Sequence, residues 1–351
     1  MNGRIKEANL SMTQQGLALV ELMVAMVIGL MLIGGVIQIF ASNKQGYMTH
    51  EALSRLQENG RYAMEILSRN VRMAGFTGCA ALDTWDPKVI ATDATSIPAE
   101  PPMVDLDTSS ALRGYEVSGG SWNPSYVGAD ALTAPGTVSS PVVNGADVIS
   151  VNRGADCVAY LGANMANRDD DITLNAGNSC NFQDGDVLII SDCTSTDIFR
   201  VSSWDGTNNQ IEHDSTENSE NGRLSKAYGS GARVFKLSTY DYYIKLNANS
   251  EPSLYVREDG VESELVEGVE DMTIVYGIDT SGDRAVDSYV AAASVTDWGE
   301  VASVRVELGL RSLNDNIALN STTYNFDGAS VTNRYLRRNM QTTIGIRNRL
   351  P

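Results

Sequence analysis

Residues 17–41, LALVELMVAMVIGLMLIGGVIQIFA, are 25 nearly uninterrupted apolar positions. At 1.5 Å per residue they reach across the roughly 30 Å hydrocarbon core of a bilayer, which predicts one transmembrane helix. The run holds a single ionisable side chain, Glu21. A carboxylate inside hydrocarbon costs on the order of a few kcal/mol unless something pairs with it, and a plain anchor has no use for one. A polar leader, residues 1–16, precedes the run and ends at Gly16. That order reverses an ordinary secretory signal, where the cut follows the apolar core, so the expected cut falls before the helix.

Residues 42–75 read as an amphipathic continuation of the same helix. Leu53, Leu56, Gly60, Ala63, Leu67 and Ala74 recur at spacings of three, four and seven, which line one helical face. Glu51 with Arg55, and Glu65 with Arg69, place opposite charges four apart in the order that supports a helix. A continuous helix from Leu17 to Ala74 spans about 87 Å, with Gly29, Gly34, Gly35 and Gly46 as its local weak points.

After residue 75 the composition shifts to Gly, Asp, Ser, Thr and Asn, with short β-branched runs. Strands are expected at 147–152, 186–191, 197–202, 233–246, 253–258, 269–278, 301–312 and 342–348, most of them alternating apolar and polar residues. Alternation implies a half-buried antiparallel sheet, and the apolar stripe of the 42–75 helix is its natural cover. The fold class is therefore α+β: a long N-terminal helix packed on an antiparallel head, residues 76–351. Residues 81–141 hold most of the prolines and read as an irregular insertion.

Composition removes several function classes. Acidic residues outnumber basic ones 44 to 26, a net charge of −18, so the head repels polyanions and nucleic acid is not its partner. The only histidines are His50 and His213, too few and too far apart for a multi-histidine metal or catalytic cluster. His213 lies in EHDSTENSENG, expected to be a solvated loop and not a nucleophile elbow, so the chain is not read as an enzyme.

The string GLALVEL at 16–22 resembles the class III signal of type IV prepilins. The resemblance implies that a membrane peptidase cuts after Gly16 and methylates the new amine on Leu17; the family more often has phenylalanine at that position. The freed amine of a neighbouring subunit would then neutralise Glu21 within the membrane. EALSRLQENGRYAMEILSRNVRMAGFTGC at 51–79, DGDVLIISDCTSTDIFRV at 184–201, ELVEGVEDMTIVYGIDTSGD at 264–283, WGEVASVRVELGLRS at 298–312 and TTIGIRNRLP at 342–351 are similar, in order, to the PilW family of minor pilins. What this implies is a structural protein of a Gram-negative envelope: a single pass through the inner membrane, a periplasmic head, and then a place in the pilus, at its tip. The implied partners are other minor pilins, the major pilin, the peptidase, the inner-membrane assembly platform, membrane lipid and a large tip adhesin. Two alternatives share the architecture: a minor pseudopilin of a type II secretion system, and an adhesin or ligand-binding head carried on a pilin stem.

The remaining chemistry-bearing residues admit more than one reading. Cys79, Cys157, Cys180 and Cys193 are even in number, and an oxidising compartment favours disulfides over zinc. Three connectivities are open; proximity in sequence favours Cys180 with Cys193, leaving Cys79 with Cys157. Asp279, Ser281, Asp283 and Asp287 place oxygens at positions 1, 3, 5 and 9 of a calcium-loop register, yet Val290 replaces the closing glutamate. The rival reading is a turn whose aspartates cap their own backbone. No cofactor is required. Trp85, Trp122, Trp204 and Trp298 form either a carbohydrate platform or ordinary packing, with Trp298 expected to be buried. Arg334, Arg337, Arg338, Arg347 and Arg349 are either a basic docking cluster or solvated charge.

Overall fold

A computed structural model describes residues 15–78, 87–92, 111–118, 121–124 and 142–347. Residues 1–14 of the leader and most of 81–141 lie outside these. One helix, Gln15–Arg72, carries the apolar run and the amphipathic stretch without a break. Arg69 and Arg72 sit in its last turn, where cations complement the negative end of the helix dipole. Gly75 follows with φ 69°, the left-handed conformation that glycine supplies at helix ends. Its N–H then donates to the Asn152 carbonyl at 2.8 Å, so the chain passes directly from helix to sheet.

The chain divides into two compact units, residues 1–52 and 53–351. Among the described residues the first unit is helix only, and every large apolar side chain from Leu19 to Phe40 is between 50 and 73% exposed.

The second unit contains the rest of the helix and two principal sheets. Across the larger, the strands run Lys88–Val89, Thr196–Arg200, Val187–Ser191, Arg233–Leu246, Val148–Gly154, Leu112–Ser118 and Ser121–Asn123. The 14-residue strand Arg233–Leu246 is the axis. Its later residues also pair with Pro252–Glu258, which pairs in turn with Val261–Glu267. The second sheet is antiparallel, in the order Ser288–Val290, Val269–Ile278, Val301–Arg311, Arg337–Gly345. A separate hairpin joins Thr322–Phe326 to Ala329–Asn333.

The helix stripe packs as its spacing predicts. Leu56, Ala63, Leu67 and Val71 are buried with Ile149, Tyr242 and Ile244 of the larger sheet and Ile274, Val306 and Leu308 of the smaller. Gly60 permits the closest approach: a Cβ there would lie 2.2 Å from Met340 Sδ and 3.1 Å from Leu310. A second core gathers Leu161, Ile172, Phe199, Ile211, Tyr228 and Val234 and contains no helix residue.

Three expectations need correction. Val187–Ser191 is buried at all five positions, not half-buried, because Leu188 and Ile190 enter the second core while Val187 and Ile189 pack with Phe235 on the other face. The 81–141 segment is not wholly irregular: Leu112–Ser118 is a seven-residue strand in register with Val148–Gly154. The last strand begins at Arg337 and ends at Gly345, earlier than the apolar signal of 342–348 suggests, because its first residues, Arg337, Arg338 and Asn339, are polar and pair through backbone with Arg311, Leu310 and Gly309.

Candidate functional site

Glu21 sits on the helix among exposed apolar neighbours, and is itself exposed. Gly16 and Leu17 fall in the first helical turn. The exposed apolar surface from Leu19 to Phe40 exceeds what a soluble monomer leaves uncovered, so it marks a membrane or protein contact. The described helix is long and apolar enough to cross a membrane. Glu21 lies four positions after Leu17, so the terminus that a cut after Gly16 would expose would lie one turn from the carboxylate on the same helical face.

The lower half of the helix is fixed to the head by polar contacts as well as apolar ones. Asn59 donates from Nδ2 to the Glu267 carbonyl at 3.1 Å. Arg153, 5% exposed, donates from Nε to Asn70 Oδ1 at 2.9 Å and from NH1 to Asp156 at 3.0 Å. Its guanidinium also lies 4.4 Å from the Tyr240 ring centroid. Sequence reasoning missed this buried cation, since an isolated arginine in a strand gives no sign of its partners. Arg69 reaches the same carboxylate group at 3.1 Å, so Asp156 joins helix and sheet at one point.

Desolvation disfavours the charged form of two groups in the head, half-buried Asp147 and fully buried Tyr276. Asp147 accepts the Ile274 N–H at 2.7 Å, and burial pushes its carboxyl up to about 7. Desolvation also raises the phenol of fully buried Tyr276 well above its ordinary value, and its hydroxyl has no hydrogen-bond partner. Gly114 makes room for that hydroxyl, since a Cβ there would lie 1.8 Å from it.

The candidate ligands of a calcium loop are otherwise engaged. Asp279 accepts the N–H groups of Gly282 at 2.7 Å and Arg284 at 2.6 Å. Asp287 accepts those of Thr280 and Ser281 at 2.9 and 3.0 Å, and Asp283 that of Ala285 at 2.9 Å. Hydrogen bonds from the Thr280 hydroxyl and backbone hold Asp287 below the usual carboxylate range. Among the described residues no group of three or more His, Cys, Asp or Glu side chains is arranged to hold a metal ion. These aspartates cap the turn joining Val269–Ile278 to Ser288–Val290, the arrangement of the rival reading.

The disulfide pairing favoured from proximity is wrong. Cys157 bonds Cys180, with Cα atoms 5.7 Å apart, so Cys180 is not available to Cys193. Cys193 is disulfide-bonded too, and Cys79 lies outside the described residues. Sequence distance misleads because the fold brings the segment after Val148–Gly154 against the one before Val187–Ser191. His213 lies in a loop but is not solvated: it is 4% exposed, its ring nitrogens 2.8 Å from the Gly222 carbonyl and 2.9 Å from that of Asp170. The charged letters around it cap turns, so a polar string conceals a packed segment. His50 is exposed on the helix.

The arginines and tryptophans are dispersed. Arg337 pairs with buried Glu270 at 2.6 Å, and Arg334 donates to the carbonyls of Ala318 and Leu319. Arg338 and Arg347 are exposed, and Arg349 lies outside the described residues. Trp298 is buried with its ring centroid 4.8 Å from that of Tyr276. Trp122 and Trp204 pack on Tyr115 and Phe182; Trp85 lies outside the described residues. No shared aromatic platform forms from the three described tryptophans.

Comparison with known families bears on both ends of the chain. Residues 11–37 match the prokaryotic N-terminal methylation motif, and residues 241–348 match the family described as type IV pilus-assembly protein W, PilW. The second match starts within the axial strand and takes in the whole four-stranded sheet. No curated protein matches the chain. The resemblance to PilW-type pilins is thus borne out, and the methylation motif with its apolar helix fits a membrane-anchored pilin.

Proposed function

We propose that this chain is a minor pilin of a type IV pilus, a structural subunit that primes or caps the filament through helix packing with other minor pilins and the major pilin. The leader is removed after Gly16, Leu17 becomes the methylated terminus, and Glu21 pairs with the amine of a neighbouring subunit. Before assembly the apolar half of the helix crosses the inner membrane of a Gram-negative cell with the head in the periplasm, where disulfides are stable. Partners include the prepilin peptidase, the assembly platform and a large adhesin at the pilus tip. The PilW match favours a pilus over a secretion pseudopilus.

One observation carries this reading: a continuous helix that packs one face of its second half into the head leaves sixteen large apolar side chains exposed around a single carboxylate in its first half. Such a surface needs lipid first and helices later, and Glu21 needs a cation in both settings. Replacing Glu21 by Ala tests it. The chain is expected to disappear from sheared filaments while head melting is unchanged, because no head residue depends on Glu21. Undiminished incorporation of the variant would contradict the pairing.

A further inference from the structure

Arg337–Gly345 is the outer strand of the four-stranded sheet and pairs only with Val301–Arg311. Its nine residues keep one register throughout. At the two ends of that ladder the Ser312 N–H donates to the Leu336 carbonyl at 2.8 Å and the Ile346 N–H to the Ala302 carbonyl at 3.0 Å. Pairs that exchange backbone hydrogen bonds recur at every second residue of an antiparallel ladder. Arg338, Met340, Thr342 and Ile344 therefore turn their backbone groups toward Val301–Arg311, and Asn339, Gln341 and Thr343 turn theirs to the open side. Among the described residues no further strand meets that side. Side chains alternate between the two faces of the sheet: Met340 and Ile344 pack with the main core, whereas Asn339, Gln341 and Thr343 are exposed.

An open edge is a template for another strand, and proteins blunt such edges by shortness, charge, proline or a bulge. The other outer strands of the two principal sheets carry these devices. Lys88–Val89 and Ala159–Tyr160 have two residues each, and Ser121–Asn123 and Ser288–Val290 have three. Val261–Glu267 is longer, but it sets Glu262, Glu264 and Glu267 along its length and pairs through a register shift. From Asn339 to Gly345 there is no charge, no proline and no bulge. This edge alone among them is long, straight and unblocked.

Charge selects the occupant. Arg338 and Arg347, both exposed, stand toward the two ends of the edge with no carboxylate in the sequence between them. The chain as a whole carries −18, so this is a basic border on an acidic body. A second copy of the same edge would set arginines near arginines and join two acidic bodies, which like-charge repulsion opposes. A strand from a different protein with a carboxylate at each end meets an arginine at each end. Its alternate residues would lie beside Met340 and Ile344 on the core side, which favours apolar side chains there, and beside Asn339, Gln341 and Thr343 on the solvent side, which favours polar ones.

We propose that the edge Arg337–Gly345 is a docking site for an extended, acid-ended strand of another protein, added through the outward backbone groups of Asn339, Gln341 and Thr343. The site lies wholly within the second unit, so its failure would leave the pilus reading untouched. The test is hydrogen–deuterium exchange on the full chain in a non-ionic detergent, with the synthetic peptide EVTVTVTVE as probe. Slowed exchange within 337–346 at millimolar peptide is expected, with weaker protection from KVTVTVTVK and none from EVTVPVTVE. Gln341→Pro removes an outward N–H and no ladder donor, so it should weaken binding by more than about tenfold. Arg338→Glu should weaken it about three- to tenfold without lowering the melting temperature, and it decides the matter if the proline variant does not fold. No protection of 337–346, equal protection by the Lys-ended peptide, binding undiminished in Arg338→Glu, or a dimer whose 337–346 amides are already protected without peptide would overturn the proposal.

Discussion

Leu30 and Leu67 are the same residue on one unbroken helix, yet Leu30 is 68% exposed and Leu67 is fully buried. Helix propensity does not distinguish them; the surroundings do. In the second unit an apolar face appears every three or four residues and is covered by two sheets, so the helix there is held by tertiary packing. In the first unit apolar residues appear on every face, the pattern of a segment whose solvent is lipid or other helices. Glycine shows the same contrast. Gly60 is wedged beneath Met340 and Leu310, whereas Gly34 has nothing within 4 Å of its missing Cβ.

The strongest way to break this comparison is Leu67→Ala beside Leu30→Ala. The first should lower head stability by about 2–5 kcal/mol in a denaturant titration, and the second should change it by less than about 0.5 kcal/mol. Equal effects would mean that the two halves are not distinct. Next comes pH, which probes the head alone. Asp147 keeps its proton up to about pH 7 when folded, whereas in the unfolded chain it ionises near 4. Between those values the folded state binds more protons, so stability falls as pH rises and is lowest above 7. Asp147→Asn should remove that slope and raise stability at pH 8 by on the order of 1–3 kcal/mol, measured as melting curves at pH 5 and pH 8. The smallest expected effect sharpens the glycine contrast. Gly60→Ala should cost about 1 kcal/mol, since Met340 can swing aside but Leu310 is close. Gly34→Ala should leave head melting unchanged and strengthen the local helix by up to about 1 kcal/mol.

The helix was largely legible because its signals are periodic and local. The apolar run gives the span, and Leu56, Ala63 and Leu67 give the buried face. Strands such as 269–278 and 301–311 were legible for the same reason, each showing alternation against a single core. Val187–Ser191 misled because both its faces are covered, which alternation cannot express. Leu112–Ser118 was hidden by the prolines and serines around it, and by Arg113 and Glu116 within it. The disulfide and the Arg153 contacts were beyond reach in sequence, because each joins residues far apart along the chain. His213 was misread because a polar string can be polar in order to cap turns around a buried ring.

In the proposed function the exposed half is released at its N-terminal edge to meet lipid and then other subunits. Intact-mass and N-terminal analysis of the protein recovered from pilus-bearing cells tests that directly. The account predicts a mature chain beginning with N-methylated Leu17. Recovery of the native protein with residues 1–16 still attached would contradict it.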